Sequence, residues 1–345
     1  WSSDACSSDL LRRSVRLRSG SFRPAGRFFE AEPLFIGNAT SRDKGSLRLL
    51  YWNIQNGMWA DQGNNYDNFV NFIREQDPDV CVWCEAKTHY RTDRADAFPA
   101  DSDSLYLPAH WADLAARYGH SYVFVGGERD FFPQVVTSRY PLEECARLTG
   151  DSTLVVSHGA GWARMNFRGR RINIVTAHTW PQRYGFGIPK EPASLRAESA
   201  GQHEGDRFRR EETEWIVRHT LGTDAGAAKH YWMLLGDLNS VSRCDNAVYG
   251  MPDNAPQFQT QDYLEGETPL VDAQRSWMGG AFVPTHAGGK RIDYIWTSEP
   301  LYRKITGLKV LRSGWPSNRK AGGEGTRRGF WTPSDHYPIL VDFKF

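Results

Sequence analysis

No window of the chain approaches the roughly 18 consecutive apolar residues that a membrane-crossing helix needs, so no transmembrane segment is expected. Net charge is nearly absent too: 42 Lys and Arg against 41 Asp and Glu leave +1. A protein that holds DNA mainly through its overall field is far more basic, so any phosphate-bearing partner must be held by local charge. Cysteine is sparse and odd in number, at five, which excludes a disulfide scaffold. Internal repeats and low-complexity runs are missing. The 345 residues, 40% hydrophobic and 24% charged, also exclude disordered, collagen-like and coiled-coil classes.

Cys81 and Cys84 have the C-x-x-C spacing of redox and zinc sites. They lie in Asp79-Val-Cys-Val-Trp-Cys-Glu85, which reads as a buried strand. Side chains three apart on a strand point to opposite faces, so core packing is the expected role. Cysteine usage is therefore silent on the compartment, while 13 Trp and 14 Tyr lean toward a secreted or periplasmic protein. The chain starts at Trp1 rather than Met, which suggests that a signal peptide, tag or domain preceded it.

Residues 1–45 differ from the rest. Arg12, Arg13, Arg16, Arg18, Arg23 and Arg27 crowd a Ser/Gly-rich stretch without periodicity. It reads as an arm on the body or the remnant of an upstream segment, with a nucleic-acid-binding arm as the functional alternative. Residues 46–345 read as one domain. Strands are expected at 46–53, 80–85, 121–126, 134–138, 231–235, 291–297, 305–311 and 338–345, with a hairpin across 162–177. Helices are expected at 66–76, 110–118 and 206–221, where apolar residues recur at helical spacing. Residues 180–205, rich in Pro and Gly, read as a surface insertion. Strands with interspersed helices imply an α/β domain of two packed sheets and outer helices.

Several strands end in an acid, amide or imidazole where the apolar pattern stops: Asn53, Glu85, His178, Asp237, Asn239, Asp293 and the pair Asp335-His336. Each alone has a bland explanation, as a turn residue, a helix cap or a satisfied core histidine. Together they are a set of hard oxygen ligands plus imidazoles converging at one end of a sandwich. Such a set suits Mg²⁺, with Mn²⁺ as a substitute, better than zinc, which takes more His or Cys.

These residues sit in motifs that resemble the endonuclease/exonuclease/phosphatase superfamily, the DNase I-like enzymes, in the order that family has them. The motifs are Leu49-Leu-Tyr-Trp-Asn53-Ile-Gln-Asn56-Gly, Asp77-Pro-Asp-Val-Cys-Val-Trp-Cys-Glu85 and Val135-Val-Thr-Ser-Arg-Tyr-Pro-Leu142. They continue with Ile174-Val-Thr-Ala-His178-Thr, Leu235-Gly-Asp237-Leu-Asn239-Ser, Arg291-Ile-Asp293-Tyr-Ile and Ser334-Asp335-His336-Tyr-Pro338. The resemblance implies an α/β (α+β) fold, a four-layered α-β-β-α sandwich of two mixed sheets. It also implies that Glu85 and Asp335 hold the divalent metal with Asn53 close by, and that Asp237 and Asn239 orient water and phosphate. Asp293 would hold His336, which acts as general base or binds phosphoryl oxygens. His178 would stabilise the transition state or protonate the leaving oxygen. Ala177-His178-Thr179 and Asp335-His336-Tyr337-Pro338 look more like DNase I, the sphingomyelinases and the inositol-polyphosphate phosphatases than the abasic-site endonucleases.

The expected function is thus hydrolysis of a phosphoester by a monomeric, metal-dependent enzyme. For a nucleic acid substrate, the basic loop carrying Arg312, Arg319, Lys320, Arg327 and Arg328 would supply phosphate contacts, Arg327 and Arg328 foremost. For a phospholipid, aromatics such as Trp180, Tyr184 and Phe186, or Trp315, Phe330 and Trp331, would dip into the membrane interface. Inositol phosphates are the third candidate, and a catalytically silent binding module is the alternative of another class.

Overall fold

The computed structural model describes residues 43, 45–87, 111–127, 132–181, 204–317, 319–320 and 331–345. Its strands, numbered in chain order, form two six-stranded sheets and a short ribbon. The first sheet contains β1 (Ser46–Asn53), β2 (Val80–Cys84), β3 (Tyr122–Val125), β4 (Val135–Ser138), β11 (Ile305–Val310) and β14 (Ile339–Lys344), in the order β11-β14-β1-β2-β4-β3. The second contains β5 (Leu142–Gly150), β6 (Val155–Phe167), β7 (Arg170–His178), β8 (Tyr231–Asp237), β9 (Leu270–Asp272) and β10 (Asp293–Ser298), in the order β5-β6-β7-β8-β10-β9. The ribbon pairs β12 (Arg319–Lys320) with β13 (Trp331–Thr332).

Strand alternation builds the layers. Along β1, Leu49 and Tyr51 face the second sheet, while Leu50 and Trp52 face outward, because successive side chains leave opposite faces of a strand. The core between the sheets joins Leu49, Tyr51, Val82 and Val341 to Ile174, Met233, Leu235 and Ile295. Helices α1 (Asp67–Gln76) and α2 (Trp111–Arg117) cover the outer face of the first sheet, laying Phe69, Phe72, Ile73, Trp111 and Leu114 on Trp52 and Trp83. Helices α3 (Glu204–His219) and α4 (Gln259–Glu267) cover the second, laying Trp215, Ile216 and Leu264 on Val175, Leu234 and Trp296. The result is the four-layered sandwich expected from the sequence. Cys81 belongs to the outer core and Cys84 to the inner one, both buried and free, so the C-x-x-C spacing is packing.

Each mixed sheet has one parallel pair at its centre, β1 with β2 and β7 with β8, and antiparallel pairings elsewhere. Two parallel strands end at the same edge, and the antiparallel neighbour of either one begins there. That rule gathers the C-terminal ends of β1, β2, β7 and β8 with the starts of β10 and β14.

Two aromatics offered as membrane wedges are packed instead. Trp180 is buried against Phe208, and Trp315 makes edge contact with Trp52 at 5.7 Å between ring centroids. Tyr184, Phe186 and Phe330 lie outside the described residues, as does most of the expected insertion at 180–205.

Candidate active site

The register of the second sheet places His178, Asp237 and Asp293 side by side at its edge. His178 of β7 is opposite Asp237 of β8, and Asp237 is opposite Asp293 of β10. Gly236 makes this approach feasible, since a Cβ there would stand 1.7 Å from the Ala177 carbonyl oxygen. Asn53 ends β1 facing them, and its Nδ2 donates to Asp237 Oδ2 at 3.0 Å and to Glu85 Oε1 at 3.3 Å. Its Oδ1 accepts from the Gln55 backbone N–H at 3.1 Å. Asn53 therefore ties the two sheets together through the site.

Backbone conformation at this edge is unusual. Glu85 and Asn239 have φ of 53° and 44°, and Gln55, Asn56 and Met58 are also positive. Left-handed conformations at non-glycine residues store strain, and they concentrate where the surroundings hold a functional geometry. At Asn239 the reversal returns its N–H to Asp237 Oδ1 at 3.1 Å and lets Nδ2 donate to the Thr179 carbonyl at 3.0 Å. Glu85 Oε2 accepts from the Asn56 N–H at 2.8 Å.

Asp293 and His336 are paired in the interior. His336 Nδ1 is 2.8 Å from Asp293 Oδ2, and Tyr51 donates its hydroxyl to Asp293 Oδ1 at 2.6 Å. Asp293 also accepts order from its own backbone, since its N–H donates to Thr285 Oγ1 at 3.1 Å. The remaining His336 nitrogen, Nε2, stands 3.6 Å from Asp237 Oδ2 and 3.9 Å from Asp335 Oδ1. His178 Nε2 is also 3.6 Å from Asp237 Oδ2. Those separations exceed a hydrogen bond and leave the groups facing a common point.

Charge follows from these neighbours. Burial disfavours the cationic form of His336, but Asp293 and Asp237 outweigh it and hold the imidazole well above its ordinary value. Asp237 is pushed up, first by burial and then by the repulsion of Asp293, with His336 opposing. His178 is held well below the ordinary histidine range by burial and by His158 and His336, so its ring is neutral at physiological pH. The His158 ring lies against it, 4.3 Å between centroids.

The carboxylates of Glu85 and Asp335 fit a divalent cation. Burial, and after it the repulsion of the nearby Asp335, raise Glu85. Burial also works against ionised Asp335, but His286 and His336 hold its carboxyl below the usual range, so it is charged. Asn56 Oδ1, next to Glu85, is buried with no hydrogen-bond partner among the described residues. Charged and neutral oxygens at this edge are the donors a hard cation takes.

Eight of the ten residues singled out from the sequence converge here: Asn53, Glu85, His178, Asp237, Asn239, Asp293, Asp335 and His336. Arg327 and Arg328 lie outside the described residues. Sequence reasoning passed over Tyr51, Thr285, His286 and Ser334, whose Oγ donates to the Asn53 carbonyl at 2.7 Å and accepts the His336 N–H at 3.1 Å. Tyr51 carried a signal, being a phenol on an inward-facing strand position whose hydroxyl requires a partner when buried.

The sequence model of the Endonuclease/Exonuclease/phosphatase family matches residues 50–336. No curated protein matches the sequence. Among solved structures, an AP endonuclease from Archaeoglobus fulgidus aligns at 16% identity with a TM-score of 0.55, covering 87% of this chain and 100% of that one. The human Nocturnin catalytic domain, solved with bound sulfate anion, aligns at 16% identity and 0.54, covering 94% and 100%. An endonuclease/exonuclease/phosphatase from Beutenbergia cavernae aligns at 18% and 0.50, covering 87% and 72%. At such identities the structural likeness is one of fold.

Proposed function

The chain belongs to the Endonuclease/Exonuclease/phosphatase family, whose members hydrolyse phosphoester bonds and generally use a divalent metal, and from that premise we propose that it is a Mg²⁺-dependent phosphodiesterase. The observation that carries this reading is the buried His336–Asp293 pair at 2.8 Å, with the far imidazole nitrogen open toward Asp237 and Asp335. A cationic donor held in that direction binds a non-bridging phosphoryl oxygen and stabilises the charge that grows there in the transition state. Asp293 fixes the direction of the ring, and Tyr51 fixes Asp293.

Asp237 is the acceptor for the proton of the attacking water in this scheme. Its raised affinity for protons brings a carboxylate closer to the range where a general base works at neutral pH. Asn239 and Asn53 hold its two oxygens in place. Neutral His178 donates a hydrogen bond to the substrate opposite His336. Glu85 and Asp335, with Asn53 beside them, hold the cation, which when bound neutralises phosphate charge.

Between the substrate classes, packing of Trp180 and Trp315 removes two of the aromatics that a membrane-dipping phospholipase-type reading draws on. A soluble phosphodiester, nucleic acid above all, is therefore favoured, with Arg327 and Arg328 as its phosphate contacts. Duplex DNA, RNA, sphingomyelin, inositol phosphates and a chromogenic bis-phosphodiester, each with Mg²⁺, Mn²⁺ and chelator, test the reading. Hydrolysis of a diester that chelator abolishes supports it. Activity confined to monoesters, or activity indifferent to chelator, would overturn it.

A further inference from the structure

His286 has no part in the scheme above, yet it stands at the open edge of the site. It lies in the turn from Thr285 to Lys290, which is stitched to the segment bearing Asp335 and His336. Ala287 N–H donates to the Asp335 carbonyl at 2.8 Å, Tyr337 N–H donates to the Thr285 carbonyl at 2.7 Å, and His286 and His336 face each other as an antiparallel bridge. The two imidazoles meet edge to face, 4.9 Å between centroids. His286 is thus held as firmly as the residues it adjoins.

The ring's proton is also fixed. Gly288 donates its backbone N–H to His286 Nδ1 at 2.9 Å. A nitrogen that accepts must show a lone pair, so the neutral imidazole carries its hydrogen on Nε2. Glycine at 288 permits this contact, because a Cβ there would stand 2.9 Å from Nδ1 and 3.0 Å from Cε1. The Nε2–H faces Asp335 Oδ2 at 3.6 Å, which is too far for a hydrogen bond. The side chain is 26% exposed, against 5% for His336.

His286, Asp335 and His336 offer ligand-type atoms within 4.8 Å of one another, the spacing of a metal set. The tautomer argues against that use of His286, since a protonated Nε2 has no lone pair for a cation, and Nδ1 is taken. What remains is a fixed donor that faces Asp335 across 3.6 Å without reaching it, beside a charged imidazole.

We propose that His286 is a substrate-binding residue whose Nε2–H donates to a non-bridging phosphoryl oxygen of the bound phosphoester. The assignment rests on the phosphoester reading of the site and adds a third imidazole donor to it, after His336 and His178. Asp335 stays free for the cation, and the phosphoryl group spans the gap that the 3.6 Å separation leaves.

The test uses the full chain with inorganic phosphate as the probe, titrated calorimetrically in the presence of Mg²⁺, and the KM for a chromogenic bis-phosphodiester. His286→Ala should weaken phosphate binding and raise KM by about tenfold, the scale of one hydrogen bond to a charged group. Mg²⁺ affinity measured without phosphate should stay within about twofold. His286→Gln, whose amide N–H can point the same way, should recover most of the loss. Gly288→Ala should reproduce part of it, because the added methyl displaces the ring. Loss of Mg²⁺ affinity in His286→Ala would show that the residue serves the cation, as a ligand or by holding Asp335 charged, and overturn the proposal. So would unchanged phosphate affinity in His286→Ala while the wild type hydrolyses diesters. Should the wild type bind phosphate with this same dependence on His286 and hydrolyse nothing, the proposed function fails and the assignment of His286 stands.

Discussion

Replacing Asp293 by Asn keeps the shape of the side chain and removes its charge, which isolates what the buried carboxylate does for His336. In the wild type, burial alone would drive the imidazole neutral, and Asp293 at 2.8 Å is the main group that reverses this, with Asp237 second. The variant should therefore lose the cation. Breaking a buried pair from one side costs about 3–5 kcal/mol. At roughly 2–3 °C per kcal/mol for a domain of this size, the melting temperature should fall by roughly 6–15 °C. The sign with pH is set by the raised histidine: its contribution to stability is full below the unfolded value near 6.5 and is lost as pH rises through the higher folded value. The deficit of Asp293→Asn should accordingly be largest near pH 6 and shrink as pH rises through the folded value. Calorimetry at three pH values measures it. Nitrogen-resolved NMR of the imidazoles should show His336 doubly protonated at pH 7 in the wild type and singly protonated in the variant, with kcat down by at least ~10²-fold. A variant whose His336 stayed doubly protonated, or whose deficit were the same at every pH, would refute the pairing argument.

Tyr51→Phe removes only the 2.6 Å hydrogen bond to Asp293 Oδ1 and should lower stability by about 1–3 kcal/mol in a thermal melt, with a kcat loss smaller than that of Asp293→Asn. Glu85→Gln should keep the fold by circular dichroism and weaken Mg²⁺ binding in a calorimetric titration; unchanged Mg²⁺ dependence would remove Glu85 from the ligand set. His178→Ala should cut turnover by at least ~10²-fold in steady-state kinetics and, because the ring is buried, lower the melting temperature by a few degrees as well. Glu212, fully buried on α3, accepts hydrogen bonds from the Ser157 N–H and hydroxyl and from the Trp180 N–H, and burial pushes its carboxyl up to about 7. A raised carboxyl binds its proton more tightly in the folded state, so this group's contribution is full below about pH 4.5 and declines by about 3 kcal/mol as pH rises through 7. Glu212→Gln should flatten that decline in melts between pH 5 and 8.

The residues at the strand ends were legible because the chemistry interrupts an apolar pattern. Asn53, Asp237 and His178 each close a strand whose preceding residues are buried, and the hairpin announced itself by the turn Arg168-Gly169-Arg170, which the structure tightens to Arg168-Gly169 with φ of 51° and 85°. The parts that stayed hidden lack such contrast. Helix α4, Gln-Thr-Gln-Asp-Tyr-Leu-Glu-Gly-Glu, buries Thr260 and Gln261 alongside Tyr263 and Leu264, so half of its inward face is polar and no clean apolar stripe marks it. Gln261 is satisfied by Ser240 Oγ at 2.7 Å and by the Trp296 indole at 3.0 Å, contacts distant in sequence. Strand β5 shifts register between Leu142 and Glu144 and again between Leu148 and Gly150, which breaks the period of two. His286 was invisible for a different reason: its turn is irregular, and only the pairing with His336 gives it meaning.

The position of β14 between β11 and β1 has a consequence for the life of the molecule on the ribosome. Trp52 and His336, joined by an indole-to-carbonyl hydrogen bond at 2.9 Å, are 284 residues apart. At ~5–20 residues per second, translation separates their appearance by roughly 15–60 s. Through that interval β1 has β2 beside it but not β14, and Asn53 and Glu85 wait for the aspartate and imidazole that stand with them. The first sheet closes only when residues 339–344 slot into its interior, so the edge that gathers Asn53, Glu85, Asp335 and His336 is assembled in one late step.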